Sequence, residues 1–127
     1  MWGLAQAYAN QGLLDRWEQE LQQHYALDGA ESAAKELRQA YARSGSRGAL
    51  LKNIEIMSDP SHRITYYPIG VAANYVWLDD KDKAFAWLER AYKEHARLLF
   101  LRVDPNFDTV RSDSRFQNLL HRIGFPQ

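Results

Sequence analysis

Three tyrosines recur along this sequence at a nearly constant spacing. Tyr8, Tyr41 and Tyr75 lie 33 and 34 residues apart. Turn residues and apolar residues further along share this period: Gly12, Gly45 and Asp79, then Leu21, Ile54 and Leu88. A period of about 34 residues is typical of a repeated helix-turn-helix unit. The sequence therefore predicts three such units, each burying an apolar face against the next.

The spacing of apolar residues within the units is helical. Between residues 82 and 95, Ala84, Leu88 and Ala91 share one face, with charged residues largely opposite. The same pattern predicts helices over residues 2–11, 14–27, 31–43, 47–58, 66–78 and 82–95, and shorter ones near 98–102, 105–110 and 113–122. No segment alternates long enough to predict a strand, so the fold class is all-α.

These positions resemble the tetratricopeptide repeat, which places a small residue and tyrosine on its first helix and alanine and an aromatic residue on its second. The third unit matches best, through Val71, Ala72, Tyr75, Ala84, Leu88 and Ala91. The first unit carries Trp17, and the second Arg38 and Leu50, where the family prefers small residues. We therefore expect the paired helices to be splayed or shifted there. The resemblance covers residues 1 to about 96.

The resemblance implies one domain over residues 1–127, with repeats at about 1–28, 29–62 and 63–96 and capping helices over 97–127. The stacked pairs would form a short right-handed α-α superhelix. The segment from Ala84 to Phe125 is similar to the way many bacterial tetratricopeptide proteins finish their arrays. Apolar residues that could cover the last repeat are Phe107, Val110, Phe116, Leu119, Leu120 and Ile123.

Composition excludes several classes of function. Sixteen basic and sixteen acidic residues cancel, so charge attracts the chain neither to nucleic acid nor to a membrane. The absence of cysteine removes disulfides, thiolate metal sites and thiol nucleophiles, and is compatible with a cytoplasmic protein. The longest uncharged runs, residues 1–14 and 64–78, are shorter than the roughly 20 apolar residues of a spanning helix.

The segment DPNFDTVRSDSRF, residues 104–116, carries three aspartates and two arginines. Asp104 before Pro105 has the pattern of a helix start, and so does Ser112 before Asp113. Arg111 and Arg115 can pair with these aspartates. We favour capping over the alternative, a metal or acid-base site, which needs convergent ligands. The same interpretation applies to Asp79, Asp80 and Asp82.

Other candidate sites are weaker. No two of the histidines stand three or four residues apart, so neither a metal nor a cofactor is predicted; they are His24, His62, His95 and His121. His24 occupies a core position of the repeat and is expected to be partly buried. The segment SRGALLK, residues 46–52, could hold an anion at a helix start, which is a minor alternative.

If the family geometry applies, the first helix of each unit lines a concave groove. The period assigns to that groove Trp2, Gln6, Asn10, Lys35, Gln39, Arg43, Tyr66, Ile69, Ala73 and Trp77. A basic middle with aromatic ends suits a peptide with acidic and apolar residues. The alternative is that these aromatic side chains pack in the core.

The function that this implies is a non-enzymatic adaptor or scaffold that binds a protein or peptide, as a fragment of a larger regulatory protein or alone. The alternative is a small-ligand-binding or enzymatic domain using the same groove, with ionisable candidates Lys35, Glu36, Arg38 and Arg43. The family's opening turn is absent from the sequence, which predicts uncovered apolar surface near Trp2 and Leu4. A homodimer through the N-terminal helix pair is therefore expected.

Overall fold

The structure, a computed structural model, describes residues 2–94, 98 and 101–124, with side chains from residue 4 onward. Its α-helices are α1 Trp2–Asn10, α2 Leu14–Leu27, α3 Glu31–Ser58, α4 Pro68–Trp77, α5 Lys81–Lys93 and α6 Ser114–Ile123. Two 3₁₀ helices, Leu101–Val103 and Pro105–Val110, precede α6. No β-strand occurs among these residues, so the predicted all-α class is confirmed.

The chain divides into two compact units, Met1–Tyr67 (unit 1) and Pro68–Gln127 (unit 2). Unit 1 holds α1, α2 and α3, and unit 2 holds α4, α5, the 3₁₀ helices and α6. The division falls five residues after the predicted end of the second repeat at residue 62. The assignment of residues 1–127 to one domain stays a prediction.

The three predicted turn positions all have positive φ angles, at Gly12 (78°), Gly45 (69°) and Asp79 (62°). Residues with a positive φ commonly end helices. At Gly45 the backbone has ψ −158°, which breaks α3 into two arms, residues 31–44 and 46–58. Only glycine takes this region of φ and ψ readily. The helices predicted over 31–43 and 47–58 correspond to these two arms.

The third predicted helix pair begins later than the pattern suggested. The prediction placed its start at residue 66, whereas α4 begins at Pro68. Proline favours the first helical position, because its fixed φ suits a helix and its missing N–H has no partner to lose there. Tyr66 and Tyr67 therefore precede the helix.

Unit 1 has a core built from the positions that the period picks out. Its largest fully buried side chains are Trp17, Leu21, Tyr25, Leu37, Leu50 and Met57. Trp17 and Leu50 stand where the family prefers small residues, and both lie inside this core. The Tyr25 hydroxyl donates a hydrogen bond to Asn53 Oδ1, which joins α2 to the second arm of α3. Burial raises the pKa of Tyr25.

Unit 2 has its own core, to which α4, α5 and the C-terminal helices contribute. Its buried cluster includes Ala72, Leu88 and Ala91 together with Phe107, Val110, Phe116, Leu119 and Leu120. Ile123 packs against this cluster and is partly buried. The apolar residues predicted to cover the last helix pair therefore pack with it.

The break in α3 gives a first prediction. We expect Gly45→Ala to lower the free energy of unfolding by about 1–3 kcal/mol, the usual cost of this backbone region for a residue with a Cβ atom. The cost is conformational, because nothing lies within 4 Å of a Cβ atom placed on Gly45. Urea denaturation followed by circular dichroism measures the change. Ser44→Ala, at the exposed neighbouring position, is the control and should change stability by less than about 0.5 kcal/mol. Equal stability of Gly45→Ala and the wild type would contradict this account of the break.

Candidate functional site

The acidic segment 104–116 caps helices, as predicted. Asp104 Oδ1 accepts a hydrogen bond from the backbone N–H of Asn106 at 2.9 Å, and Pro105 takes the first position of the 3₁₀ helix. Asp113, rather than Ser112, is the N-cap of α6 and accepts from the N–H of Arg115 at 2.9 Å. Burial raises the pKa of Asp104, whereas hydrogen bonds from Arg115 lower that of Asp113.

The arginines of this segment pair with aspartates. Arg111 Nη2 lies 2.7 Å from Asp108 Oδ1 and also donates to the carbonyl of Asp104. Arg115 Nη1 lies 2.7 Å from Asp82 Oδ1, which joins α6 to α5. These acidic and basic groups are thus occupied by capping and pairing.

The aspartates at the start of α5 behave in the same way. Asp80 is the N-cap of α5 and accepts from the N–H of Lys83 at 3.2 Å. Asp79 is the residue with positive φ that ends α4. Within the described part of the chain, no three His, Cys, Asp or Glu side chains are placed to hold a metal ion.

Two of the described histidines, His24 and His62, each lie near an aspartate close in sequence. His24 is partly buried, as predicted, and its Nε2 lies 3.1 Å from Asp28 Oδ2 one turn along α2. His62 Nε2 lies 3.7 Å from Asp59 Oδ2. His121 is exposed on α6. His95 lies outside the described residues.

The predicted groove residues are distributed over both units. In unit 1, Asn10, Lys35, Gln39 and Arg43 are exposed, while Gln6 and Tyr66 are half-buried. The side chain of Trp2 lies outside the described part. In unit 2, Ile69 and Trp77 are partly buried against the core.

One groove assignment needs correction. Ala73 is 1% exposed and belongs to the buried cluster of unit 2, so it cannot contact a partner in this conformation. Tyr66 lies before α4 rather than on it. The remaining groove positions stay predictions.

The first arm of α3 carries the clearest polar surface among the predicted positions. Lys35, Gln39 and Arg43 are spaced by four residues and therefore lie on one face of the arm. All three are exposed, whereas Ala34 and Leu37 of the same arm are buried. Neither Lys35 nor Arg43 forms an ion pair within the described residues. We call these three residues the basic face.

Arg38, another ionisable candidate, contacts α2. Its Nη1 donates to Gln22 Oε1 at 3.4 Å, and Gln22 Nε2 donates to Glu18 Oε1 at 3.0 Å. Glu18 is only 3% exposed, and burial raises the pKa of its carboxyl although the Gln22 hydrogen bond opposes this. Sequence reasoning missed Glu18. The available signal of its burial was its place on the apolar face of α2, three residues before Leu21 and seven before Tyr25.

A cavity of about 490 Å³ lies in unit 1, between the two arms of α3 and the segment that follows α3. The first arm and its start contribute Ala30, Ser32, Ala33 and Glu36, and the second arm contributes Lys52, Glu55 and Ile56. The following segment contributes residues 62–65. Of the ionisable candidates, only Glu36 lines this cavity. No periodic pattern of residues marks this cavity, because a non-repeating segment forms one wall.

Hydrogen bonds hold that wall in place. Asp59 Oδ1 accepts from the backbone N–H of Ser61 at 2.9 Å and from its hydroxyl at 2.8 Å. The Thr65 hydroxyl donates to the carbonyl of Ile56 at 3.1 Å, and the N–H of Tyr67 donates to the carbonyl of Met57 at 2.9 Å. The segment after α3 is therefore fixed to the end of that helix, which holds this wall of the cavity in place.

Comparison with known proteins finds no matching family model, no similar curated protein and no similar solved structure. The tetratricopeptide resemblance accordingly remains a prediction. No helix in the described ranges, residues 2–94 and 101–124, has both the length and the apolar character needed to cross a membrane.

The buried carboxyl gives a second prediction. Because burial raises the folded-state pKa of Glu18 above its ordinary value of 4.5, its ionised form opposes folding at neutral pH. This unfavourable contribution to the free energy of folding is absent below the ordinary pKa of Glu18 and grows as the pH rises through its folded-state pKa. Glu18→Gln should therefore be more stable than the wild type near pH 7, and the difference should narrow towards about pH 4.

Urea denaturation at several pH values measures this difference. Glu20→Gln, on the more exposed part of α2, is the matched control and should show a smaller gain at neutral pH. A Glu18→Gln variant that is equally or less stable than the wild type at pH 7 would contradict the account.

Proposed function

We propose that this protein is a non-enzymatic interaction module that binds a peptide or protein segment along the basic face of α3. The observation that carries the proposal is the pair of cations, Lys35 and Arg43, exposed on one helix face without an intramolecular ion pair in the described chain. Exposed cations that form no ion pair within the described residues are available to a partner. Arginine is also enriched among residues that anchor interfaces.

The recurrence of buried positions supports a tetratricopeptide-like arrangement as part of this proposal. Leu21, Ile54 and Leu88 occupy the same place in the predicted units, and all three are buried. The residues with positive φ also recur at the predicted turns, Gly12, Gly45 and Asp79. Repeats of this kind present the first helix of each pair to a partner.

The chemistry of the basic face favours an acidic partner. Two unpaired cations separated by two helical turns match an extended or helical segment with carboxylates at a similar spacing. Binding should weaken as salt concentration rises, because the cations are exposed and therefore screened. The same proposal includes a cytoplasmic location and a partner that is neither nucleic acid nor a membrane.

A third prediction tests the basic face. Peptides are first selected from a displayed library of short random sequences on the wild-type protein, and we expect the binders to be rich in acidic residues. The Kd of the best one is then measured by fluorescence polarisation. Lys35→Glu with Arg43→Glu should weaken binding tenfold or more, about 1.4 kcal/mol or greater.

The control is Arg47→Glu with Arg102→Glu, which makes the same change in net charge at two other exposed arginines. Both double variants are first shown to melt like the wild type. The control variant should then change the Kd by less than about threefold. The proposal would be overturned if the variant with Lys35→Glu and Arg43→Glu bound the peptide as tightly as the wild type does, or if the library yielded no binder.

A fourth prediction concerns self-association, which we propose to occur through α1 and the turn after it. Leu4 and Leu13 are each 43% exposed there, which leaves apolar surface uncovered. We expect a concentration-dependent dimer in sedimentation equilibrium. Leu4→Ser with Leu13→Ser should shift the protein to monomer, whereas Leu27→Ser, at an 84% exposed leucine elsewhere in unit 1, should not. A wild type that stays monomeric at high concentration would contradict this.

A further inference from the structure

The cavity between the arms of α3 is a second candidate binding site, with residues different from those of the basic face. Its volume of about 490 Å³ lies within the range of small-molecule sites, which is about 300–1,000 Å³. One of its walls is held without a ligand, because the segment after α3 is tied down through Asp59, Thr65 and Tyr67.

Apolar side chains line the interior of the cavity and part of its rim. Ala33 and Ile56 are buried residues of the two arms, whereas Ile64 on the opposite wall is 62% exposed. A large apolar side chain exposed beside an apolar cavity is surface that a ligand would remove from water. Each buried CH₂ group of such a ligand gains about 0.8 kcal/mol.

Charge is distributed unevenly between the walls. On the helix wall, Lys52 lies 2.7 Å from Glu55, and Glu36 is close enough to help raise the pKa of Lys52. The three ionisable lining residues of this wall, Glu36, Lys52 and Glu55, therefore carry a net charge of −1. On the opposite wall, Arg63 is exposed and makes no ion pair within the described residues, and His62 lies beside it.

This asymmetry defines both the ligand and its orientation. An anionic group would be repelled by the helix wall and attracted by Arg63, while an apolar body would fill the space between Ala33, Ile56 and Ile64. Arginine also presents the fork of donors that suits a carboxylate. We propose that this cavity binds a small apolar carboxylate, with its carboxylate on Arg63 and its hydrocarbon between the arms of α3.

Octanoate and octanol, compared on the same protein, test the proposal. Both have eight carbon atoms, but only octanoate carries a charge, so the ratio of their affinities isolates the carboxylate contact. Titration of the nitrogen-15-labelled protein by NMR, below the concentration at which octanoate forms micelles, gives both Kd values. We expect octanoate to bind at least fivefold more tightly and to shift the amide signals of Ala33, Ile56 and Thr65.

Two variants separate the contributions, and each has a matched control. Arg63→Gln should abolish the preference for octanoate, whereas Arg47→Gln should keep it. Ile64→Ser should weaken both ligands alike, whereas Leu27→Ser, at another exposed apolar residue of unit 1, should weaken neither. All four positions are exposed, so the fold should be retained; melting curves check this.

Several outcomes would overturn the proposal: no saturable binding of octanoate, equal affinity for octanol, shifts confined to residues outside the cavity, or a preference that survives Arg63→Gln. The basic face takes no part in this test. Failure here leaves the peptide proposal untouched, and failure of the Lys35 and Arg43 experiment leaves this one untouched.

Discussion

A helix can be followed closely by a second helix packed against it only if a residue between them turns the chain sharply. That constraint organises this protein. Gly12, Gly45 and Asp79 each take a positive φ, and the packed positions of the following helices stand at fixed distances from them. Trp17, Leu50 and Ala84 lie five residues beyond the three turns, and all are buried. Once the turns are placed, the register of the core follows.

Polar residues at the starts of helices serve the same architecture. Asp80, Asp104 and Asp113 each satisfy a backbone N–H at the start of a helix, which would otherwise lack a partner. Arg115 and Arg122 then connect α6 to α5 through Asp82 and Glu89. A segment with the composition of a catalytic site is therefore accounted for by helix termini and inter-helix pairs. Lys35, Arg43 and Arg63, by contrast, form no ion pair within the described residues.

Much of the fold could be predicted from the sequence, because helix period, capping residues and turn residues are local signals. The bounds of α2, the break at Gly45 and the N-cap at Asp80 all follow from such signals. The exposed face of α4 was harder to predict. In α4, Val71, Ala72, Ala73 and Asn74 are consecutive and all buried, so the helix is enclosed on several sides and periodicity cannot tell its exposed face.

The buried Glu18 and the cavity were missed for a related reason. Glu18 depends on a hydrogen bond from Gln22, and the cavity depends on Thr65 and Tyr67 bonding back to the end of α3. The Gln22 contact lies within one helix and the other contacts lie in an irregular segment, and their residue types are common in solvent-exposed segments. Neither the repeat period nor the charge pattern marks the cavity, and only the apolar face of α2 points to Glu18.

The break at Gly45 also has a geometric consequence for the cavity. Ala33 and Glu36 stand on the arm before the break, and Lys52 and Ile56 stand on the arm after it. The angle between the arms therefore sets the width of the space between them. Nothing lies within 4 Å of the place that a Cβ atom on Gly45 would take, and the Tyr25 hydrogen bond to Asn53 ties the second arm to α2. Ligand binding in the cavity and a change of the backbone bend at Gly45 therefore act on the same distance, which is the width of the space between the two arms.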